Sequence, residues 1–171
     1  MIRRRRWFDR KFTLRLPVEE FPEILERVRG TPSRIEERVR LLAPASLVRR
    51  RDVGWSIQEH VGHLLDLEPL WSGRLEDLLR GSRSLEAADL MNTKTEEAGH
   101  NERRMADLLN EFRTARERFV TILEGLDEEG LTSEALHPRL QEPMNVAGLC
   151  FFVAEHDDHH LATIGDLLRA M

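Results

Sequence analysis

Apolar residues recur along most of this chain at intervals of three and four, which is the spacing of one face of an α-helix. The pattern predicts a short helical piece that stops at Gly30. A second helix is expected to start with Thr31 as N-cap and Pro32 in the first turn, where a missing N–H costs nothing. Longer helices are predicted over residues 56–81, 95–126 and 145–171, the last with Asn145 as a plausible N-cap. No segment alternates as a strand would, so we predict an all-α fold, a four-helix bundle.

The helix over residues 56–81 carries the clearest boundary signals. Ser56 and Glu59 form an S-x-x-E capping box at its start, and Gly81 follows its last turn. Pro69 lies inside the pattern and should bend the helix, because it cannot donate to the carbonyl of Leu65.

The connection between this helix and the next, residues 82–94, is longer than an antiparallel helical hairpin needs. At about 3.3 Å per residue it could run the length of a long helix. We therefore predict a crossover that makes the second and third helices of the bundle parallel. The whole chain, residues 1–171, is expected to form one domain, with residues 1–17 as an irregular N-terminal arm.

Composition narrows the functional classes. Apolar residues make up 40% of the chain, charged residues 33%, and the net charge is −5, which argues against a nucleic-acid binder although residues 3–6 are all arginine. No run of 18 apolar residues occurs, so no membrane span is expected. Cys150 is the only cysteine, which excludes an intrachain disulfide and favours a cytoplasmic location. Any metal must therefore be held mainly by histidine and carboxylate.

Two histidines interrupt the apolar stripe of the last helix. Because His156 and His160 are four residues apart, both imidazoles project from one helical face and could reach one metal ion. Asp157 is expected on the flank of this face, and His159 is expected to point away from it. The alternative is a pair of core-edge histidines that are hydrogen-bonded to their neighbours. The stripe consists of Val146, Leu149, Val153, His156, His160, Ile164 and Leu167.

A third ligand would have to come from another helix, and residues 56–81 offer two histidines. By angle His60 lies nearer the centre of the apolar stripe than His63, which shares a flank with Leu67 and Leu70. Glu68 lies on the stripe itself, where it could orient a ligand, take a proton or form a salt bridge with an arginine. The stripe is Ile57, Val61, Leu64, Glu68, Trp71, Leu75 and Leu78.

Asn101 is the one strongly polar member of the stripe in the third long helix. With parallel second and third helices it would lie level with His63, as a candidate pocket residue, or it could be a core asparagine that fixes register. His100 and His137 could line the mouth of such a pocket or simply be exposed. The stripe is Ala98, Asn101, Met105, Leu108, Phe112, Ala115, Phe119, Ile122 and Leu126.

Four segments together give the chain a resemblance to the DinB/YfiT-like superfamily. They are ERVRGTPSRIEERV (26–39), WSIQEHVGHLLDLE (55–68), HNERRMADLL (100–109) and AEHDDHHLATI (154–164). The resemblance implies a four-helix bundle with parallel second and third helices, often a homodimer.

The same resemblance implies a set of metal ligands. In the family a tryptophan opens the second helix and a histidine eight residues later binds the metal, which corresponds here to Trp55 and His63. The H-x-x-x-H motif of the last helix corresponds to His156 and His160. The resemblance therefore favours His63, whereas helical angles favour His60. His60 or His159 would replace a ligand only if the helices were rotated.

Three neutral imidazoles leave coordination positions open, as in a catalytic site, and suit zinc or nickel. The leading hypothesis is an enzyme that activates water or a low-molecular-weight thiol towards a small substrate, as a hydrolase or thiol S-transferase. Glu68 and Asp157 are candidates for proton transfer or for supporting the ligands. The alternatives are a non-catalytic, stress-related metal- or ligand-binding bundle, and a structural helical dimer without metal.

Overall fold

The computed structural model describes residues 4–51 and 54–171, so Arg3 of the N-terminal arginine run lies outside the described residues. The long helices are α1 (Phe21–Val39), α3 (Ile57–Leu79), α5 (Met105–Glu124) and α7 (Val146–Arg169). Shorter elements are α2 (Pro44–Leu47), α4 (Thr93–Glu97), α6 (Glu128–Thr132), and the strands β1 (Glu134–Leu136) and β2 (Pro143–Asn145). No helix within the described ranges is long and apolar enough to cross a membrane.

The four long helices form a ring in which α1 and α3 each pack against both α5 and α7. Two hydrogen bonds give the relative direction of α3 and α5. At the start of α3, Ser56 bonds to Asn101, and three turns later Glu68 bonds to Arg116 of α5. Residue numbers therefore increase in the same direction along both helices, which are parallel. The predicted four-helix bundle with a long crossover between its second and third helices is thereby confirmed.

The predicted break at Gly30 is wrong, because α1 runs without interruption through Thr31 and Pro32. A proline inside a helix leaves the carbonyl four residues earlier, here that of Val28, without its backbone donor. Arg116 supplies the missing donor: its Nη1 lies 2.9 Å from the Val28 oxygen. A side chain from another helix thus makes Pro32 acceptable, which the local sequence cannot indicate.

The predicted helix over residues 95–126 is also divided. Its first part forms α4 and a 3-10 turn at His100–Glu102, separated by Gly99 with φ of 61°. The buried face of α5 is rotated relative to the predicted apolar stripe, since Arg116 is buried whereas Ile122 is 45% exposed. The buried ion pairs of Arg116 explain this rotation.

The capping signals are confirmed. The backbone N–H of Glu59 donates to the Ser56 hydroxyl at 3.1 Å, and the carboxylate of Glu59 accepts from the Ser56 N–H at 2.8 Å. Asn145 caps α7, with its Oδ1 2.8 Å from the N–H of Gly148.

The N-terminal arm and a small hairpin close one end of the bundle. The hairpin pairs β1 with β2 in antiparallel register, and its strands of three residues are too short to show a strand pattern in sequence. The arm is fixed beside it, because the side-chain amide of Asn145 donates to the carbonyl of Leu16 at 2.9 Å. Gly148 is required here, since a Cβ would lie 1.8 Å from the Leu14 carbonyl oxygen.

Candidate metal centre and adjoining cavity

Three buried histidines meet where α3 faces α7. His63, His156 and His160 each place one ring nitrogen so that all three nitrogens lie within 4.8 Å of one another. Their ring centroids are 4.5 to 5.3 Å apart. The spacing of four residues on α7 places two of these rings on one face, and the antiparallel contact with α3 adds the third.

The second ring nitrogen of His63 is held by a relay to a carboxylate. Its Nδ1 lies 3.0 Å from the Thr95 hydroxyl, and that hydroxyl donates to Asp66 at 2.9 Å. A hydroxyl has one hydrogen, so Thr95 must accept from the Nδ1–H of His63. The proton of this neutral imidazole is therefore on Nδ1, and Nε2 keeps its lone pair.

His60 contacts the opposite edge of the cluster. Its Nδ1 lies 2.9 Å from Nδ1 of His160, and the other nitrogen of His160, Nε2, lies 3.3 Å from Nε2 of His156. When His160 donates through Nδ1 to His60, its Nε2 lone pair faces the centre of the cluster. His60 is thus placed to orient His160. Nδ1 of His156 is buried with no hydrogen-bond partner in the described part of the chain.

The cluster is electrically neutral at physiological pH. Burial lowers the pKa of His63 and of His60 to about 4. Burial, together with the neighbouring histidines, lowers the pKa of His156 and His160 well below the usual value. Neutral imidazoles are the form that ligates metal, so the donor set fits a divalent ion such as zinc or nickel.

A cavity of about 440 Å³ opens beside the three histidines. Its walls are largely aromatic and include Trp7, Trp55, Trp71 and Phe152. Trp7 comes from the N-terminal arm and packs 5.3 Å from the ring of Phe152 and 5.0 Å from that of His156. Residues 87–90 of the crossover form another part of the wall. The arm and the crossover therefore both border the space next to the cluster.

Glu68 and Asp157 do not line this cavity. Both carboxylates are buried and face Arg116, whose nearest nitrogens lie 2.7 Å from Glu68 and 2.6 Å from Asp157. Burial raises the pKa of Glu68, and the nearby Arg116 opposes that shift. The geometry favours the salt-bridge alternative for Glu68, and neither residue is placed to transfer a proton in the cavity.

Other sequence-predicted residues lie in different places. Asn101 lies level with Ser56 rather than with His63, and its side-chain oxygen accepts a 2.7 Å hydrogen bond from the Ser56 hydroxyl. It is not among the residues that line the cavity. The division of the predicted third helix causes this shift of register. His137 lines the cavity, as does His159, which was expected at the surface. Trp7 of the arm covers His159, with their rings 5.7 Å apart.

Sequence patterns missed the residues that support the cluster. Asp66 lies off the apolar stripe of α3, and Thr95 appeared to be the start of a long helix. His100, expected to be exposed or at the pocket mouth, is buried and places Nε2 2.7 Å from Asp66. Only the crossover between α3 and α5 brings Thr95 and His100 back to α3, so no local signal could have identified them.

The fold and this site together define a class: four-helix bundles with a buried histidine cluster beside a cavity. The chain belongs to the DinB superfamily, whose family model matches residues 27–164. No curated protein sequence matches it significantly.

Two solved structures are similar in fold. YfiT from Bacillus subtilis, described as a probable metal-dependent hydrolase with an unusual four-helix bundle topology, superposes with a TM-score of 0.83 at 20% identity, covering 95% of this chain and 93% of YfiT. A mycothiol-dependent maleylpyruvate isomerase superposes with a TM-score of 0.68 at 15% identity. That match covers 88% of this chain but only 61% of the isomerase. At these identities the similarity establishes the fold.

Proposed function

We propose that this protein is a metal-dependent enzyme in which His63, His156 and His160 hold one divalent ion, zinc or nickel. The observation that carries the proposal is the convergence of three buried, neutral imidazole nitrogens within 4.8 Å at the wall of a cavity. Such an ion, when bound, acts as a Lewis acid that lowers the pKa of water or of a thiol. We therefore propose a hydrolase or thiol S-transferase that acts on a small molecule.

The surrounding residues prepare this chemistry. Thr95, supported by Asp66, accepts from the Nδ1–H of His63, and His60 accepts from the Nδ1–H of His160. In both ligands Nε2 therefore stays unprotonated and oriented towards the ion. The aromatic side chains of the walls suit an apolar substrate skeleton. YfiT, a probable metal-dependent hydrolase, supports the hydrolase alternative, and the mycothiol-dependent isomerase supports the thiol alternative.

Metal analysis of the purified protein tests the ligand set. We expect close to one equivalent of divalent metal in the wild type and loss of that metal in His63→Ala and in His156→Ala. Arg169→Ala, at the exposed end of the same helix, is the control and should keep the metal. Unchanged metal content in both histidine variants would overturn the proposal.

A panel of reactions then tests catalysis. Transfer of bacillithiol, mycothiol or glutathione to an electrophile indicates the transferase, and cleavage of simple esters indicates the hydrolase. Activity should disappear with the metal in His63→Ala. A metal-loaded protein that is inactive across the panel would instead support the non-catalytic metal-binding alternative.

We also propose that the protein is a cytoplasmic homodimer. The family resemblance, which implies a homodimer in many members, supports the dimer, and the single, buried Cys150 supports the cytoplasmic location. Light scattering at a concentration of about 10 μM should give twice the 19.9 kDa mass of the chain. A mass of one chain at that concentration would contradict the dimer.

A further inference from the structure

Arg74 of α3 is a buried cation with no carboxylate at ion-pair distance among the described residues, and the charges of Glu86 and Asp77 act on it from farther away. Its side chain is only 2% exposed, and no ion pair within 4 Å is found for it among the described residues. Nε donates to the carbonyl of Glu86 at 2.9 Å. Arg116, the other fully buried arginine, binds two carboxylates. A buried guanidinium ordinarily needs such a counter-charge.

His137 presents a second donor to the same place. Its Nδ1 accepts from the backbone N–H of Leu140 at 3.2 Å, so the single proton of the neutral ring is on Nε2. Burial, and then the nearby Arg74, lowers the pKa of His137 to about 4, which keeps the ring neutral at pH 7. Nε2 lies 3.4 Å from Nη1 of Arg74. Two N–H donors therefore lie side by side at the cavity wall, an arrangement that an acceptor group hydrogen-bonded to both would relieve.

These donors line the cavity that adjoins the histidine cluster. The indole of Trp71 lies between them and the cluster, 5.6 Å from the Arg74 guanidinium and 5.7 Å from the His156 ring. Arg139 also lines this end and adds positive charge. Asp89 is the one carboxylate among the lining residues, and its oxygens accept from backbone N–H groups of its own loop, those of Met91 and Thr93.

We propose that Arg74 and His137 form the binding site for the carboxylate of a small substrate. One planar carboxylate offers two acceptor oxygens, one for the guanidinium and one for the imidazole N–H, and it brings a negative charge closer to Arg74 than Glu86 or Asp77. The aromatic walls would cover the apolar part of the molecule, and its other end would face His63, His156 and His160. The assignment of this molecule as a substrate rests on the function proposed above, but its binding does not require metal.

The test is isothermal titration of the metal-free protein with phenylacetate and with its neutral isostere phenylacetamide. We expect phenylacetate to bind at least tenfold more tightly than phenylacetamide. Arg74→Gln should weaken phenylacetate binding at least tenfold and leave phenylacetamide unchanged, and Arg74→Lys should have an intermediate effect. Arg118→Gln, which removes an exposed arginine from α5, is the control and should change neither affinity.

Equal binding of the acid and the amide by the wild type, or no binding of either, would overturn the proposal. That comparison needs no variant, so it decides the question even if Arg74→Gln does not fold. Tighter binding of phenyl phosphate than of phenylacetate would overturn the assignment to a carboxylate. Metal content is measured on separate samples. If the protein binds the carboxylate but contains no metal, only the proposed function is overturned. If it contains metal but does not bind the carboxylate, only this inference is overturned.

Discussion

Nη1 of Arg116 on α5 lies 2.9 Å from the carbonyl oxygen of Val28 on α1, the oxygen that Pro32 leaves without a helical donor. The same guanidinium binds Glu68 of α3 and Asp157 of α7. One side chain therefore connects all four long helices, in a polar layer between two apolar clusters of the core.

Arg116→Met is expected to destabilise the protein by about 3–5 kcal/mol, because it leaves two buried carboxylates without a counter-charge. Urea denaturation at pH 7 measures the change. The matched control is Arg118→Met at the exposed face of α5, which should change the free energy of unfolding by less than about 0.5 kcal/mol. Similar stabilities of the two variants would show that the buried network contributes little.

Thr95→Val is expected to weaken metal binding about 10- to 100-fold while the fold is retained. The substitution keeps the side-chain shape but removes the hydroxyl that holds Nδ1 of His63 and connects it to Asp66. Competition with a chromogenic chelator measures the affinity. Thr93→Val, at an exposed position of the same short helix, is the control, and equal affinities of the two variants would contradict the proposed relay.

Gly62→Ala is expected to destabilise the protein by about 1–3 kcal/mol through overpacking. A Cβ at position 62 would lie 2.3 Å from the ring of His100, which is hydrogen-bonded to Asp66. Gly30→Ala in α1 is the comparison, since the nearest atom to its Cβ is 3.8 Å away, and it should be neutral or slightly stabilising. Thermal denaturation of both variants would reveal the difference, and an unchanged melting temperature for Gly62→Ala would contradict the contact.

The free energy of unfolding of the metal-free protein is expected to decrease as the pH falls from 7 towards 4. Burial lowers the pKa of His60, His63 and His137 to about 4, below the value of about 6.5 in an unfolded chain. Between these values the unfolded chain binds protons that the folded chain does not, so protonation favours unfolding. Above about pH 7 the histidines are neutral in both states, and their contribution is constant.

Urea denaturation in the presence of EDTA, at intervals between pH 5 and pH 8, measures this dependence. A free energy of unfolding that stays constant or increases as the pH falls would contradict the neutral, buried state of these histidines.

The sequence by itself determined the elements and part of the cluster. Helical periodicity located α3 and α7, the capping residues Ser56 and Asn145 marked where they begin, and the length of residues 82–94 indicated the parallel crossover. These signals are local, because a helical face and a cap depend on residues within one or two turns. His156 and His160 were found in the same way, since a helix places residues four apart on one face.

Only the tertiary structure decided which third histidine joins that pair and which partner the buried carboxylates bind. His60 and His63 are both buried, and the packing of α3 against α7 places a nitrogen of His63 in the cluster and His60 beside it. Glu68 meets Arg116 across 48 residues, and His63 meets Thr95 across 32. Such pairings depend on the rotation and register of whole helices, which are determined by packing across the bundle, and the periodicity of one helix carries no information about them.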